Sequence, residues 1–418
     1  MSIFNAMITS VSGMTAQGNR LSTYAENIAN SSTVGYKAAS AQFETILGVQ
    51  ATHAYSSGSV ATTVRYGIDQ QGALTATSSP TDLAINGQGF FVVADGNGNP
   101  HLTRAGSFVL DNSGHLVNTA GFRLMGVQST DGSSPTTETG FGGLSAIKID
   151  TAGLAATPST TGAFSMNLPS GASAVAAANL PSVNAASAQP TAKSSLVAYD
   201  NLGTAVNLDI YMSKTGANTW EAAAFDASKS TGGGFPYSSG PLATATLGFD
   251  STSGALTTPS PGALSIPVPG GQTMSLDISG ATQLGASFSV SQATVNGSAP
   301  SQFSKLKVAA DGTISAVYQN GLTLPKYKIP LATAPSIDNL TPETGNIYDV
   351  SVASGNVIVG APNSGALGSI MSSTLENSTV DIASELTAMI ETQRSYTANS
   401  KAFQIASDAT DVLVNLKA

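Results

Sequence analysis

Cysteine is absent from all 418 residues, which excludes disulfide staples and thiolate metal sites. Charge is scarce as well: Asp, Glu, Lys and Arg together make up 10% of the chain, where about 25% is ordinary for a globular protein. Ser, Thr, Ala, Gly and Asn take their place. Hydrophobic residues still account for 41%, so this is not the weakly hydrophobic, highly charged composition that stays unfolded. A folded protein with a surface of small polar groups is expected, partly shielded by neighbouring copies. A net charge of −9 without any stripe of Lys and Arg excludes nucleic acid as a partner.

No run of 18 apolar residues occurs, so membrane insertion is not expected. Met1-Ser2-Ile3-Phe4-Asn5 has neither a basic n-region nor an apolar core, and a cleavable secretory signal is not expected either. His53, His101 and His115 lack metal-ligand spacing. The glycine clusters sit in β-turn contexts, whereas a phosphate loop joins a strand to a helix. Abundant Ser and Asp do not locate a catalytic triad, which is a matter of geometry. No catalytic residue, cofactor or metal is expected, and the chain is not read as an enzyme.

What is present begins with the ends. Residues 4 to 28 read as an amphipathic helix in which Phe4, Val11, Gly18 and Ala25 share one heptad position and Met7, Met14, Leu21 and Ile28 the next. At the other terminus Leu375, Ile382, Met389, Tyr396 and Phe403 recur every seven residues, with Val380, Leu386, Ile390, Ile405, Leu413 and Leu416 widening the stripe. Pro is absent after Pro362 and Gly after Gly368, which permits one long helix from about 376 to 416, capped by Asn377, Ser378 or Thr379.

Between the ends, short apolar or alternating runs such as Phe90-Phe91-Val92-Val93 and the segment from Ala205 to Met212 alternate with Asn-Gly and Asp-Gly turns. Residues 80 to 127 and 305 to 331 read as hairpin-rich parts of one domain split by an insertion. Ala, Ser, Thr, Pro and Gly dominate 151 to 193, which reads as linker or loops. A second loose stretch, 227 to 243, holds three consecutive glycines. The expected fold is multidomain α+β: a helical assembly domain from 1–35 and 370–418, an inner β-rich domain from 36–150 and 300–369, and an inserted outer β-rich domain from 151–299.

Paired terminal helices beside β domains that already supply their own core leave an apolar stripe with little to cover it. Other copies would bury it, and a heterologous contact that does not close yields a fibre. A terminal helix held chiefly by neighbours is marginal in the monomer, which suits export of a threaded chain.

Several motifs resemble one family. Asn27-Ile28-Ala29-Asn30-Ser31-Ser32-Thr33-Val34-Gly35-Tyr36-Lys37 is similar to the N-terminal signature of flagellar rod and hook axial proteins. So are the segment from Asp82 through Gly89-Phe90-Phe91 to Val93 and that from Thr103-Arg104 to Gly126. Near the end, Leu375-Glu376-Asn377 through Asp381-Ile382 and Met389 through Gln393-Arg394-Ser395-Tyr396 to Asn399-Ser400-Lys401 resemble the C-terminal signature. Ser195 to Gly203, the strand through Tyr211 and Asn218-Thr219-Trp220 resemble the outer domain of the family's hook-type members, which shorter rod members mostly lack.

The resemblance implies a structural subunit of an extracellular, flexible, hollow tube that transmits torque from rod to filament. It implies export by the flagellar type III apparatus and, besides self-association, contacts with distal rod proteins, the hook-filament junction protein and the hook cap. The helix seams would form a cohesive inner layer. Arg20, Glu26, Lys37, Glu376, Glu385, Glu391, Arg394 and Lys401 are candidates for ion pairs between copies; the plainer reading is solvated helix faces worth under about 1 kcal/mol each. A distal rod subunit and a secreted adhesin or binding module are the alternative readings.

Overall fold

The computed structural model of the chain describes residues 3–46, 59–129 and 138–415; His53 and Leu416 lie outside these, as does the side chain of Leu413. It divides into two compact units, one built from residues 1–150, 305–317 and 323–418, the other from 151–304 and 318–322.

The first unit carries both helices, α1 (Ile3–Ala29) and α2 (Ile382–Asn415). Their 27 and 34 residues give lengths of about 40 and 51 Å at 1.5 Å per residue. Both are rich in Ser and Thr, weak helix formers because their hydroxyls compete for backbone groups. Here the competition is resolved inside the helix. Thr9, Ser10, Thr15 and Thr23 on α1, and Thr387, Thr392, Thr397 and Thr410 on α2, each donate to the carbonyl four residues earlier at 2.8–3.0 Å. The hydroxyls are thereby satisfied without solvent.

Helix α2 starts at Ile382 and not near 376, because Thr374–Glu376 is a short strand paired with Leu74–Ala76. Leu375 lies in that strand, outside the helical heptad. The cap is Asp381, whose carboxylate accepts from the Ala383 and Ser384 amides at 2.9 and 3.4 Å, in place of Asn377, Ser378 or Thr379. A long hairpin, Ala39–Ile46 with Ser59–Tyr66, runs beside α1 and is joined to it where Ser12 bonds the Val60 backbone.

The β body of this unit interleaves segments from both sides of the insertion. Antiparallel strands follow the order Glu138–Thr139, Ile358–Gly360, Leu331–Thr333, Phe90–Ala94, Arg123–Gln128, Thr323–Lys328, Thr313–Tyr318. Phe90–Ala94 is apolar at every position because both of its faces are covered. Phe90, Val92, Leu102, Ala332, Tyr348 and Val359 pack into one core.

The second unit is a two-sheet sandwich. One sheet is an antiparallel meander from Ala192–Tyr199 to Leu256–Thr258. In the other, Thr161–Pro169 lies between Ser289–Val295, antiparallel, and two parallel neighbours, Thr273–Asp277 and Thr282–Leu284. Phe164, Met166 and Leu168 alternate inward from this central strand onto Leu208, Ile210 and Trp220. The indole N–H of Trp220 donates to Gln283 at 2.8 Å. Residues 151–193 are thus not mainly linker: 161–169 is core strand, its period-two pattern hidden in an Ala/Ser/Thr-rich context. Residues 227–243 lack long strands but are packed, with Phe235 and Tyr237 closing on Tyr211 and Phe225 over the sheet's other face.

The hairpin tips share one device. Asp111 Oδ1 accepts from the amides of Ser113 and His115, Asp200 Oδ1 from those of Leu202 and Thr204, and Asp250 Oδ1 from those of Thr252 and Ser253, at 2.7–3.0 Å. The backbone N–H groups of His115, Thr204 and Ser253 in particular hold these carboxyls below the usual Asp range. A carboxylate with a depressed folded pKa stabilises the fold above its unfolded pKa of about 3.9 and loses that contribution as pH falls through the folded value. Urea midpoints are therefore expected to hold from neutral pH to about 5 and to fall below about 4. Asn118 and Asn320 already form such turns with an amide oxygen. Asn at 111, 200 and 250 is expected to keep the turns and flatten the acid limb; an unchanged acid limb contradicts this origin.

Candidate functional site

Asn27, on the last turn of α1, is fully buried and uses its whole amide. Its Nδ2 donates to the Ala39 carbonyl at 2.8 Å and to Glu385 at 3.2 Å, while Oδ1 accepts from the Ala39 amide and the Tyr36 hydroxyl. The chain then turns through Gly35, at φ 69°, where a Cβ would sit 2.6 Å from the carbonyl carbon of Arg104. Only glycine fits that approach.

The turn delivers Lys37 into the interior. Its ammonium donates to Glu376 Oε1 at 2.6 Å and also to the Gln70 carbonyl. Oε1 of Glu376 accepts as well from the Gly72 amide at 2.8 Å, and Oε2 from Arg104 Nη1 at 3.1 Å. Arg104 Nη2 reaches the Gly87 carbonyl at 3.0 Å, and its guanidinium lies over the Phe90 ring at 5.1 Å. The Gly35 amide donates to the Glu376 carbonyl at 2.8 Å. All three charged side chains are at most 3% exposed. Burial pushes the Lys37 ammonium below the ordinary lysine pKa even with Glu376 beside it.

Lys37 and Glu376 are therefore not free to pair between copies. Desolvated charges are tolerable only when matched, and here they match each other and Arg104 within one chain. Of the other candidates, Glu385 is half-buried against Asn27, and Arg20 donates to the Tyr24 hydroxyl at 2.7 Å. Glu26, Glu391, Arg394 and Lys401 are exposed. Among the family-motif residues, Phe90 and Phe91 are core, and Gly89 turns into their strand at φ 122°. Asn30 back-bonds to the Glu26 carbonyl, Asn377 ties to Ala73 and Thr75, Asp381 caps α2, and Gln393 lies exposed on α2. His101 pairs with Asp349 and His115 with Asp111.

Past this cluster the helices run antiparallel, with Asn27 near Glu385, Gly13 against Asn399 and Met7 near Thr410. The buried residues are small or polar: Ser10, Ala16, Thr23 and Asn27 on α1, Thr392 and Ala406 on α2. The apolar heptad residues stay outside. Phe4 is 66% exposed, Val11 45%, Ile382 48%, Leu386 47%, Ile390 53% and Tyr396 45%. Met7, Met14, Leu21, Ile28, Leu375, Met389 and Phe403 are half-buried. No helix among the described residues is long and apolar enough to cross a membrane.

Sequence reasoning quoted Arg104 only as part of a motif and did not connect it to Lys37 and Glu376. In a chain with so few charges, a Lys, an Arg and a Glu each inside a motif were the available signal.

The two terminal helices and the inserted β unit fall where the models of flagellar axial proteins match. Four family models agree: the flagella basal body rod protein over residues 7–37, the flagellar hook protein FlgE/F/G D1 domain over 84–172, the flagellar basal body protein FlaE D2 domain over 167–298 and the flagellar basal body rod FlgEFG protein C-terminal region over 371–416. The chain belongs to the flagellar hook protein family. It is 45% identical to the flagellar hook protein FlgE of Brucella suis over 100% of both chains, and 31% identical to that of Escherichia coli over 99% of this chain and 100% of the other. The crystal structure of Helicobacter pylori flagellar hook protein FlgE2 shares the fold, with a TM-score of 0.50 at 15% identity over 71% of this chain and 98% of that one.

Removing Glu376 leaves two buried cations without a counter-charge, whereas removing Lys37 leaves Glu376 with Arg104. Glu376→Ala is expected to cost about 3–5 kcal/mol and Lys37→Met roughly half of that or less, measured by urea unfolding followed by circular dichroism. Equal losses would contradict this division of roles.

Proposed function

We propose that this chain is the structural subunit of a flagellar hook, polymerising into a flexible hollow tube that passes torque from rod to filament. The observation that carries the reading is the outward apolar stripe on the paired terminal helices. In a lone molecule such a stripe is an association hazard; in a helical polymer neighbouring copies bury it. Family membership supports the same role.

The terminal segments 1–35 and 370–418, which carry α1 and α2, form the innermost layer, 36–150 with 300–369 the middle and 151–299 the outer. Residues Phe4, Met7, Val11, Met14, Leu21, Ile28, Ile382, Leu386, Met389, Tyr396 and Phe403 make the cohesive contacts. The flexible methionines tolerate small repacking as the tube bends. Bending is taken up between units and copies, since packed interiors resist continuous deformation. The subunit works outside the cell, leaves by the flagellar type III route, and meets the distal rod, the hook cap and the hook-filament junction protein.

An epitope inserted between the exposed Gly232 and Gly233 is expected to label the curved extracellular segment of isolated hook-basal bodies in electron microscopy. Labelling confined to the straight rod, or absent, contradicts the reading. Leu386→Asp with Ile390→Asp, both at exposed positions, is expected to leave monomer stability within about 0.5 kcal/mol while hooks per cell fall by at least roughly tenfold. Normal hook numbers would remove the stripe from the account.

A further inference from the structure

The first unit holds a cleft of about 700 Å³ whose lining includes the buried Tyr36, Tyr348 and Asn118 and the exposed Glu26 and Glu343. Neither carboxylate has an intrachain ion pair among the described residues. Lys37 also lines the cleft, but its charge is consumed by Glu376. Asn118 is 6% exposed and its Oδ1 is fixed by the amides of Ala120 and Phe122, yet its Nδ2 is buried with no acceptor. A buried donor without a partner is costly and rare. That nitrogen has no accessible surface in the chain, so what the cleft presents to a partner is two negative charges.

The complementary set lies on the exposed face of α2. Ile390, Gln393, Arg394, Thr397, Ala398 and Lys401 line a shallow groove, and neither Arg394 nor Lys401 has an ion-pair partner among the described residues. Arg394 and Lys401 are seven residues apart, two helical turns, so they point the same way. The hairpin joining Thr341–Glu343 to Ile347–Asp349 carries Glu343 at the last paired position before its turn, opposite Ile347.

We propose that the Glu26/Glu343 cleft of one copy receives the Arg394/Lys401 face of α2 from a second copy. The two cations meet the two carboxylates. Cleft and groove are different surfaces of the same chain, so the contact can be repeated head to tail, and it extends as a fibre where the rotation between copies neither pairs them reciprocally nor closes a ring. This rests on the hook reading and specifies one of the contacts that holds its copies together.

The absence of cysteine makes the test clean, because introduced thiols are the only ones present. Cells carrying Glu343→Cys with Arg394→Cys are sheared, and the recovered hooks, already assembled and hence folded, are treated with a bismaleimide long enough for the Cα separation of an Arg–Glu pair, which exceeds the roughly 7 Å a disulfide can bridge, and run under denaturing conditions. The expected result is a ladder through trimers and beyond, absent from either single variant. No adduct, a cross-link within one chain, or a product that stops at the dimer overturns the proposal. Wild-type hooks are probed in parallel; if they do not contain this chain, it is the hook reading that fails. Where the double variant does not assemble, charge reversal decides. Glu26→Lys with Glu343→Lys, and Arg394→Glu with Lys401→Glu, are each expected to lower hooks per cell on the order of tenfold, and all four together to restore them to within about threefold. Lack of restoration overturns the contact.

Discussion

The pairing of Lys37 and Arg104 with Glu376 in the interior is the constraint on which the rest of the first unit depends. It joins the exit from α1, the segment around Gln70 and Gly72, the hairpin at Arg104, the Gly87 turn and the approach to α2. Hydrophobic residues of similar volume would stabilise as well or better, because desolvation consumes most of the Coulombic gain. The cluster also penalises near misses. A shift of one residue at either terminus would strand a charge, so the cluster fixes where both helices begin relative to the β body. The Gly35 turn and the Asn27 amide serve the same end by holding the chain tightly enough to bring Lys37 inside.

From that root the two helices divide their surfaces. Toward each other they present Ser, Thr, Ala, Gly and Asn, whose hydroxyls are satisfied within each helix. Toward the outside they present Phe4, Val11, Ile382, Leu386 and Ile390. The usual arrangement is the reverse, with the apolar face turned inward to supply the stability that helical propensity alone does not. A weakly cohesive pair with its strongest hydrophobic surface outward is marginal alone and firm in company. The proposed export as a threadable chain and the proposed cohesion after assembly would both rest on this one pattern.

Much of this was legible in the chain. Heptads mark both helices, turn dipeptides mark the hairpins, and the terminal motifs mark the family. The role of Lys37 and Glu376 was not legible, because 339 residues separate them and an isolated charge near a helix end ordinarily faces solvent. The start of α2 was misplaced for the same reason: a permissive composition around Glu376 allows helix, but its carboxylate and carbonyl are committed to an extended segment. Residues 161–169 hid a core strand because Phe164, Met166 and Leu168 alternate with small residues in a stretch whose composition reads as loop.

The structure of the assembled hook at side-chain resolution tests the central claim most directly. The account predicts that Phe4, Val11, Ile382, Leu386 and Ile390 fall to under about a tenth exposed against neighbouring copies, with Lys37, Arg104 and Glu376 still paired inside each chain. Stripes left open to solvent in the tube, or Lys37 paired with a neighbour's carboxylate, would contradict it.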